Sequence, residues 1–85
     1  MIKLYTGSNC SACTKLKNRL EGLGISKESY EEANVNEAAH RAAVVELGFR
    51  GIPLLVKYAE GSGELLGTLM GASYQDGKYQ EFFMS

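Results

Sequence analysis

The sequence has 85 residues, of which 45% are hydrophobic and 22% charged, and its formal net charge at pH 7 is −1. This length suits one hydrophobic core, so we predict a single domain spanning residues 1–85. No apolar run approaches the roughly 20 residues that cross a bilayer, and lysine and arginine form no cluster. These features argue against a membrane protein and against nucleic acid as the main partner.

The first predicted elements frame the cysteines of the chain. Residues 2–6 alternate between apolar and polar side chains, which predicts a strand, and a Gly-Ser-Asn turn follows. The two cysteines, Cys10 and Cys13, come next. An amphipathic pattern then predicts a helix, ended by Gly24, whose apolar stripe is Cys13, Leu16, Leu20 and Leu23.

The middle of the chain carries weaker signals. Residues 25–33 predict a second strand, although three glutamates and a lysine lower its propensity. The alanine-rich stretch 37–47 predicts a helix, with Asn34 and Asn36 as candidate amino-terminal caps.

A hairpin and a last helix complete the chain. Residues 54–58 predict a strand, 60–63 a turn and 64–69 the returning strand. Ser73 and Asp76 have the spacing of a capping box, and the helix they open is predicted to pack through Tyr79, Phe82 and Phe83. The element order is β-α-β-α-β-β-α. It predicts an α/β fold with a mixed four-stranded sheet flanked by helices on both faces.

The position of the cysteines favours redox chemistry. A cysteine at a strand-to-helix turn lies near unpaired N–H groups and the positive end of the helix dipole, which stabilise a thiolate. The second cysteine, one turn later, is close enough to form a disulfide with the first. Because residue 1 runs directly into a strand pattern, we expect no signal peptide and a cytoplasmic protein. A lone cysteine pair there is catalytic, redox-sensing or metal-binding more often than structural.

The element order, with Cys10-Ser11-Ala12-Cys13 after the first strand and the sole proline, Pro53, before the third, resembles the thioredoxin fold. The short length, with no element before the cysteine strand, resembles a glutaredoxin or an NrdH-type redoxin. Residues 48–53 are similar to the segment that carries a cis-proline in these redoxins. The Gly71-Ala72 pair stands where many glutaredoxins have Gly-Gly.

This resemblance implies a thiol–disulfide oxidoreductase with a redox-active disulfide and no bound cofactor or metal. Cys10 is predicted to be the nucleophile and Cys13 the resolving cysteine. The resemblance also implies a cis Ile52–Pro53 peptide. The substrate-binding residues that it suggests are Ser11, Ala12, Ile52, Pro53, Gly71 and Ala72.

Three positions depart from the glutathione-dependent members. Those proteins resemble one another in a lysine before the first cysteine, an aromatic residue inside the motif and an acidic residue after Gly-Gly, where this chain has Gly7, Ala12 and Tyr74. The expectation is a monomer that is reduced by thioredoxin reductase and passes electrons to a protein disulfide. Ribonucleotide reductase is the substrate that the NrdH resemblance suggests. The alternative is a glutaredoxin that uses glutathione as its reductant.

Two further classes compete with an oxidoreductase. A structural zinc site needs four ligands, whereas the chain offers two cysteines and one histidine, His40, which we expect on the solvated surface of the alanine-rich helix. The resemblance also allows an iron–sulfur cluster shared between two chains, since some glutaredoxin-like proteins bridge one with glutathione, but the missing glutathione contacts argue against it. A redox-inactive binding domain would not need the intact cysteine pair.

Overall fold

The computed structural model describes residues 1–84. Its strands are β1 (Ile2–Thr6), β2 (Glu31–Asn34), β3 (Leu54–Tyr58) and β4 (Leu65–Met70), and its helices are α1 (Ser11–Gly22), α2 (Ala38–Glu46) and α3 (Asp76–Met84). The predicted order of elements and the α/β class are confirmed. Within the described residues, no helix combines the length and the apolar character needed to cross a membrane.

The four strands form one mixed sheet in the order β2-β1-β3-β4. β1 is parallel to β2 and antiparallel to β3, and β3 is antiparallel to β4. Tyr5 lies opposite Leu54, which in turn lies opposite Met70. The same end of the sheet therefore contains the end of β1, the start of β3 and the end of β4. The chain leaves β1 at this end and continues to the cysteines.

The two faces of the sheet carry separate cores because successive side chains of a strand point to opposite sides. Leu4 of β1 packs with α1 and α3 through Leu16, Leu20 and Tyr79, all fully buried. The next residue, Tyr5, packs on the opposite face, and the core there contains Ala33, Val44, Leu54 and Val56. The prediction of helices on both faces is confirmed.

The predicted second strand was too long at its start. Lys27–Ser29 forms a one-turn 3-10 helix, closed by a 3.0 Å bond from the Ser29 N–H to the Ser26 carbonyl, and only Glu31–Asn34 pairs with β1. Glutamate and lysine have low strand propensity and serine favours local hydrogen bonds, so a turn forms here before the chain reaches the sheet.

The predicted helix caps were also wrong in detail. The residue before α2 is Glu37, which makes no side-chain capping bond, and Asn34 instead accepts the Asn36 N–H within a turn at 2.8 Å. The last helix starts at Asp76 rather than directly after Ser73. Tertiary hydrogen bonds to the backbone between Gly71 and Tyr74, described below, hold that segment in a loop.

The Glu32 carboxylate predicts an acid-dependent loss of stability. Burial by itself raises the pKa of Glu32, but hydrogen bonds from Thr6 (2.8 Å) and Lys17 (3.1 Å) outweigh burial and lower it overall. A carboxyl whose pKa is lowered by folding stabilises the protein above its unfolded pKa, and that contribution disappears as the pH falls through the folded pKa.

We therefore expect Glu32→Gln to lower the urea midpoint at about pH 7 and to have a smaller effect toward about pH 3, as the parent carboxylate takes up a proton. Glu28→Gln, which changes an exposed glutamate of the 3-10 turn, is the control and should leave the difference between the two pH values unchanged. An equal effect of Glu32→Gln at both pH values would contradict this account.

Candidate active site

Cys10 is the N-cap of α1, as the sequence predicted. Its Sγ accepts a hydrogen bond from the Cys13 backbone N–H at 3.1 Å, and its carbonyl accepts the Thr14 N–H at 3.2 Å. The sulfur thus takes the place of a capping oxygen. It accepts a hydrogen bond from one of the N–H groups that have no partner within the helix at its start. The same N–H and the helix dipole favour a negative charge on this sulfur.

The two cysteines form a disulfide in this structure, with their Cα atoms 5.2 Å apart. They differ in accessibility: Cys10 is partly exposed, whereas Cys13 is only 2% exposed. An incoming disulfide can therefore approach Cys10, while Cys13 is covered by the protein.

The loop before Cys10 lies directly against Ile52. The Ile52–Pro53 peptide is cis, as predicted. A Cβ placed on Gly7 would lie 2.6 Å from Ile52 Cδ1, so any side chain at position 7 would displace Ile52. On the other side of the loop, the Asn36 side-chain amide donates to Ser8 Oγ at 3.2 Å. The cysteine loop is thus held between the segment before β3 and the turn after β2.

The segment after β4 lies at the same end of the sheet. The Gly71 N–H donates to the Pro53 carbonyl at 2.8 Å, and Gly71 has a φ of +98°, which glycine adopts without the strain of a side chain. Pro53 itself is buried and Ile52 is half-buried. Ile52 therefore lies against the cysteine loop, and Gly71 is bonded to Pro53, the residue that follows Ile52. The remaining suggested residues are Ala72, half-buried next to Gly71, and Ser11 and Ala12, exposed in the first turn of α1.

Arg19 and Tyr79 hold the backbone next to Gly71, and sequence reasoning did not assign them to the site. Arg19 Nη1 donates to the Ala72 carbonyl at 3.0 Å, and the Tyr79 hydroxyl donates to the Gly71 carbonyl at 2.9 Å. The sequence predicts that Arg19 lies on the polar face of the first helix and that Tyr79 is a packing residue of the last helix. The sequence carries no signal of these contacts, because the partner of Arg19 lies 53 residues away and that of Tyr79 lies in a loop whose path is not a local pattern.

His40 lies on α2, as expected, but its side chain is only 30% exposed rather than fully solvated. Its Nε2 lies 2.9 Å from Glu37 Oε2, and its ring packs edge-on against Tyr5 with a centroid separation of 6.3 Å. The ring is partly buried because α2 lies on this face of the sheet. In the part of the chain that the structure describes, no three His, Cys, Asp or Glu side chains lie close enough together to hold a metal ion.

A thioredoxin-type fold with a vicinal cysteine pair at the start of a helix defines the class of thiol–disulfide oxidoreductases. The chain belongs to the glutaredoxin family, because the family model named Glutaredoxin matches residues 2–58. The match includes both cysteines and Pro53. No curated protein shows significant sequence similarity to the chain.

Solved structures of several redoxins are similar to this one. The thioredoxin-like protein BC3987 is 26% identical, with a TM-score of 0.63 and coverage of 95% of this chain and 97% of the other. NrdH-redoxin from Escherichia coli is 22% identical, with a TM-score of 0.67 and coverage of 94% and 91%. Trxlp from Edwardsiella tarda EIB202 is 12% identical, with a TM-score of 0.71 and coverage of 99% and 81%. The similarity extends over nearly the whole chain in each case.

Proposed function

We propose that this oxidoreductase carries electrons from a thioredoxin reductase to a protein disulfide, with Cys10 as the nucleophile and Cys13 as the resolving cysteine. The observation that carries the proposal is the asymmetry of the pair. Cys10 is reachable and its sulfur receives a helix N–H at 3.1 Å, whereas Cys13 is 2% exposed. The sulfur that is stabilised as a thiolate is thus the one that a substrate can reach.

The reaction transfers two electrons in two exchange steps. In the reduced protein, the Cys10 thiolate attacks one sulfur of the substrate disulfide, whose other sulfur leaves as a thiolate and takes up a proton. Cys13 then loses its proton and attacks the Cys10 sulfur of the mixed disulfide, which releases the second substrate sulfur as a thiolate. The substrate ends as a dithiol and the protein as the Cys10–Cys13 disulfide, which the reductase must reduce.

The segments around Cys10 are suited to an extended substrate. In this proposal the backbone of Ile52, presented by the buried Pro53, pairs with a strand-like segment on one side of the reacting sulfur. Gly71 and Ala72 border the same segment, and Ser11 and Ala12 contact it from the start of α1.

The choice of reductase rests on the three departures from the glutathione-dependent pattern. The space beside Gly7 is occupied by Ile52, and Ala12 provides no aromatic ring. Tyr74 provides no carboxylate, and its ring packs edge-on against Tyr79, 5.9 Å between centroids. The E. coli NrdH-redoxin is described as having a thioredoxin-like activity profile, which supports the same choice. The proposed substrate is ribonucleotide reductase. The protein is proposed to act as a monomer in the cytoplasm.

Parallel assays of NADPH consumption test this choice. One reaction contains thioredoxin reductase, the other glutathione with glutathione reductase, and both contain the oxidised subunit of ribonucleotide reductase as the disulfide substrate. We expect turnover with thioredoxin reductase and at least about tenfold less with glutathione, the ratio that corresponds to 1.4 kcal/mol in the rate-limiting step. Turnover with glutathione alone would make the protein a glutathione-dependent glutaredoxin. Insulin in place of ribonucleotide reductase tests whether the substrate, rather than the reductant, is the wrong part of the proposal.

A further inference from the structure

Arg19 connects the cysteine helix to the loop Gly71–Tyr74. Its Nη1 donates to the Ala72 carbonyl at 3.0 Å and to the Tyr74 carbonyl at 2.6 Å. Its Nε lies 3.0 Å from Asp76 Oδ1, at the start of α3. A single arginine side chain, 36% exposed, thus holds two carbonyls of a loop that lies more than fifty residues away in the sequence.

Tyr79 also forms hydrogen bonds with the Gly71–Tyr74 loop. Its fully buried side chain donates its hydroxyl proton to the Gly71 carbonyl at 2.9 Å and accepts the Tyr74 N–H at 3.3 Å. Its ring lies under the Arg19 guanidinium, 5.7 Å from the centroid. The Gly71 N–H is bonded to Pro53. The inner side of the loop is therefore fixed by backbone, tyrosine and arginine contacts together.

The helix that carries Arg19 also carries the reacting sulfur. Cys10 caps α1 and Arg19 lies nine residues later on the same helix, so the positions of the sulfur and of the Gly71–Tyr74 loop are set by one rigid element. We propose that Arg19 is a positioning residue for protein substrates: it holds the Gly71–Tyr74 loop at a fixed place relative to Cys10 and does not act on the sulfur. This inference rests on the proposed function of the loop as one border of the substrate segment.

The physical gain is preorganisation. Without Arg19 the Ala72 and Tyr74 carbonyls lose a charged donor, and the loop can turn them toward water. A protein substrate would then have to order the loop on binding, which reduces its affinity. A small disulfide that contacts only the Cys10 sulfur does not use the loop. Loss of Arg19 should therefore separate the two kinds of substrate.

The test compares Arg19→Gln with Arg19→Lys, and with Arg41→Gln as the control in the exposed surface of α2. The readouts are kcat and KM with oxidised insulin, the rate of reaction with the small aromatic disulfide DTNB, and the Cys10 pKa from thiolate absorbance. For Arg19→Gln we expect KM for insulin to rise about tenfold or more, the low end of the loss expected for one hydrogen bond from a charged group. The DTNB rate and the acid dissociation constant of Cys10 should each stay within about twofold of the parent values. One pKa unit would be a tenfold change in that constant.

Arg19→Lys should recover part of the KM effect, since a lysine keeps the charge but not the planar set of donors that reaches two carbonyls. Equal losses with insulin and DTNB, or a shifted Cys10 pKa, would show that Arg19 only supports α1 and would overturn the inference. An unchanged KM for insulin would overturn it as well.

Ser73→Trp separates that failure from a failure of the proposed function, because it adds bulk to an exposed position of the loop. If Ser73→Trp raises KM for insulin while Arg19→Gln does not, the loop borders the substrate but Arg19 does not position it. If neither variant changes KM, the loop is not part of the substrate surface, and this element of the proposed function fails together with the inference.

Discussion

Cys10→Ser is expected to reduce turnover of protein disulfides to below about one thousandth of the parent rate. A serine hydroxyl is not ionised near neutral pH, and only an ionised sulfur attacks a disulfide. The remaining Cys13 cannot substitute for it because it is 2% exposed. The measurement is NADPH-coupled reduction of insulin, together with the initial rate of TNB release from DTNB by the reduced variant.

Cys13→Ser is the matched variant, because it removes the other sulfur of the same pair. We expect it to react with DTNB at a rate close to that of the parent, to release one equivalent of TNB and to retain a TNB adduct visible in the intact mass. The parent should release two equivalents, since Cys13 clears the adduct. If Cys10→Ser reacted as fast as the parent and Cys13→Ser did not react, the two assignments would be reversed.

Leu20→Ala is expected to destabilise the oxidised protein by about 2–5 kcal/mol, the usual cost of truncating a fully buried leucine. Leu20 is 0% exposed and joins α1 to the sheet and α3. A domain of this length has a total stability of only ~4–13 kcal/mol, so the variant should show a much lower urea midpoint. It should also lose part of its activity, because α1 carries the reacting cysteine.

Leu66→Ala is the control for this measurement. It makes the same chemical change at a leucine of β4 that is 57% exposed, and its cost should stay within about 0.5 kcal/mol. Both variants are compared in the disulfide form, so that the redox state does not contribute to the difference. Similar midpoints for the two variants would mean that the α1 core does not provide the stability we assign to it.

Much of the fold and of the site is visible in local patterns. The leucines of α1 and the alternation of β1 have the periods of a helix and a strand, and the turn glycines mark where these elements end. The cysteine spacing and the lone Pro53 indicate the chemistry and the segment that adjoins it. The second strand and the last helix were placed less well, because side chains with weak intrinsic preferences leave the outcome to contacts with the rest of the fold.

The sequence by itself determined the order of elements, the amphipathic faces and the position of Cys10 at a helix start, because each depends on residues within a few positions of one another. Only the tertiary structure decided that Ile52 lies against Gly7 and that Arg19 and Tyr79 hold the Gly71–Tyr74 loop. The contacts of Gly7 and Arg19 join segments separated by tens of residues, and that of Tyr79 reaches back eight residues to Gly71. The path of the backbone through the sheet sets such distances, and no local pattern in the chain encodes them.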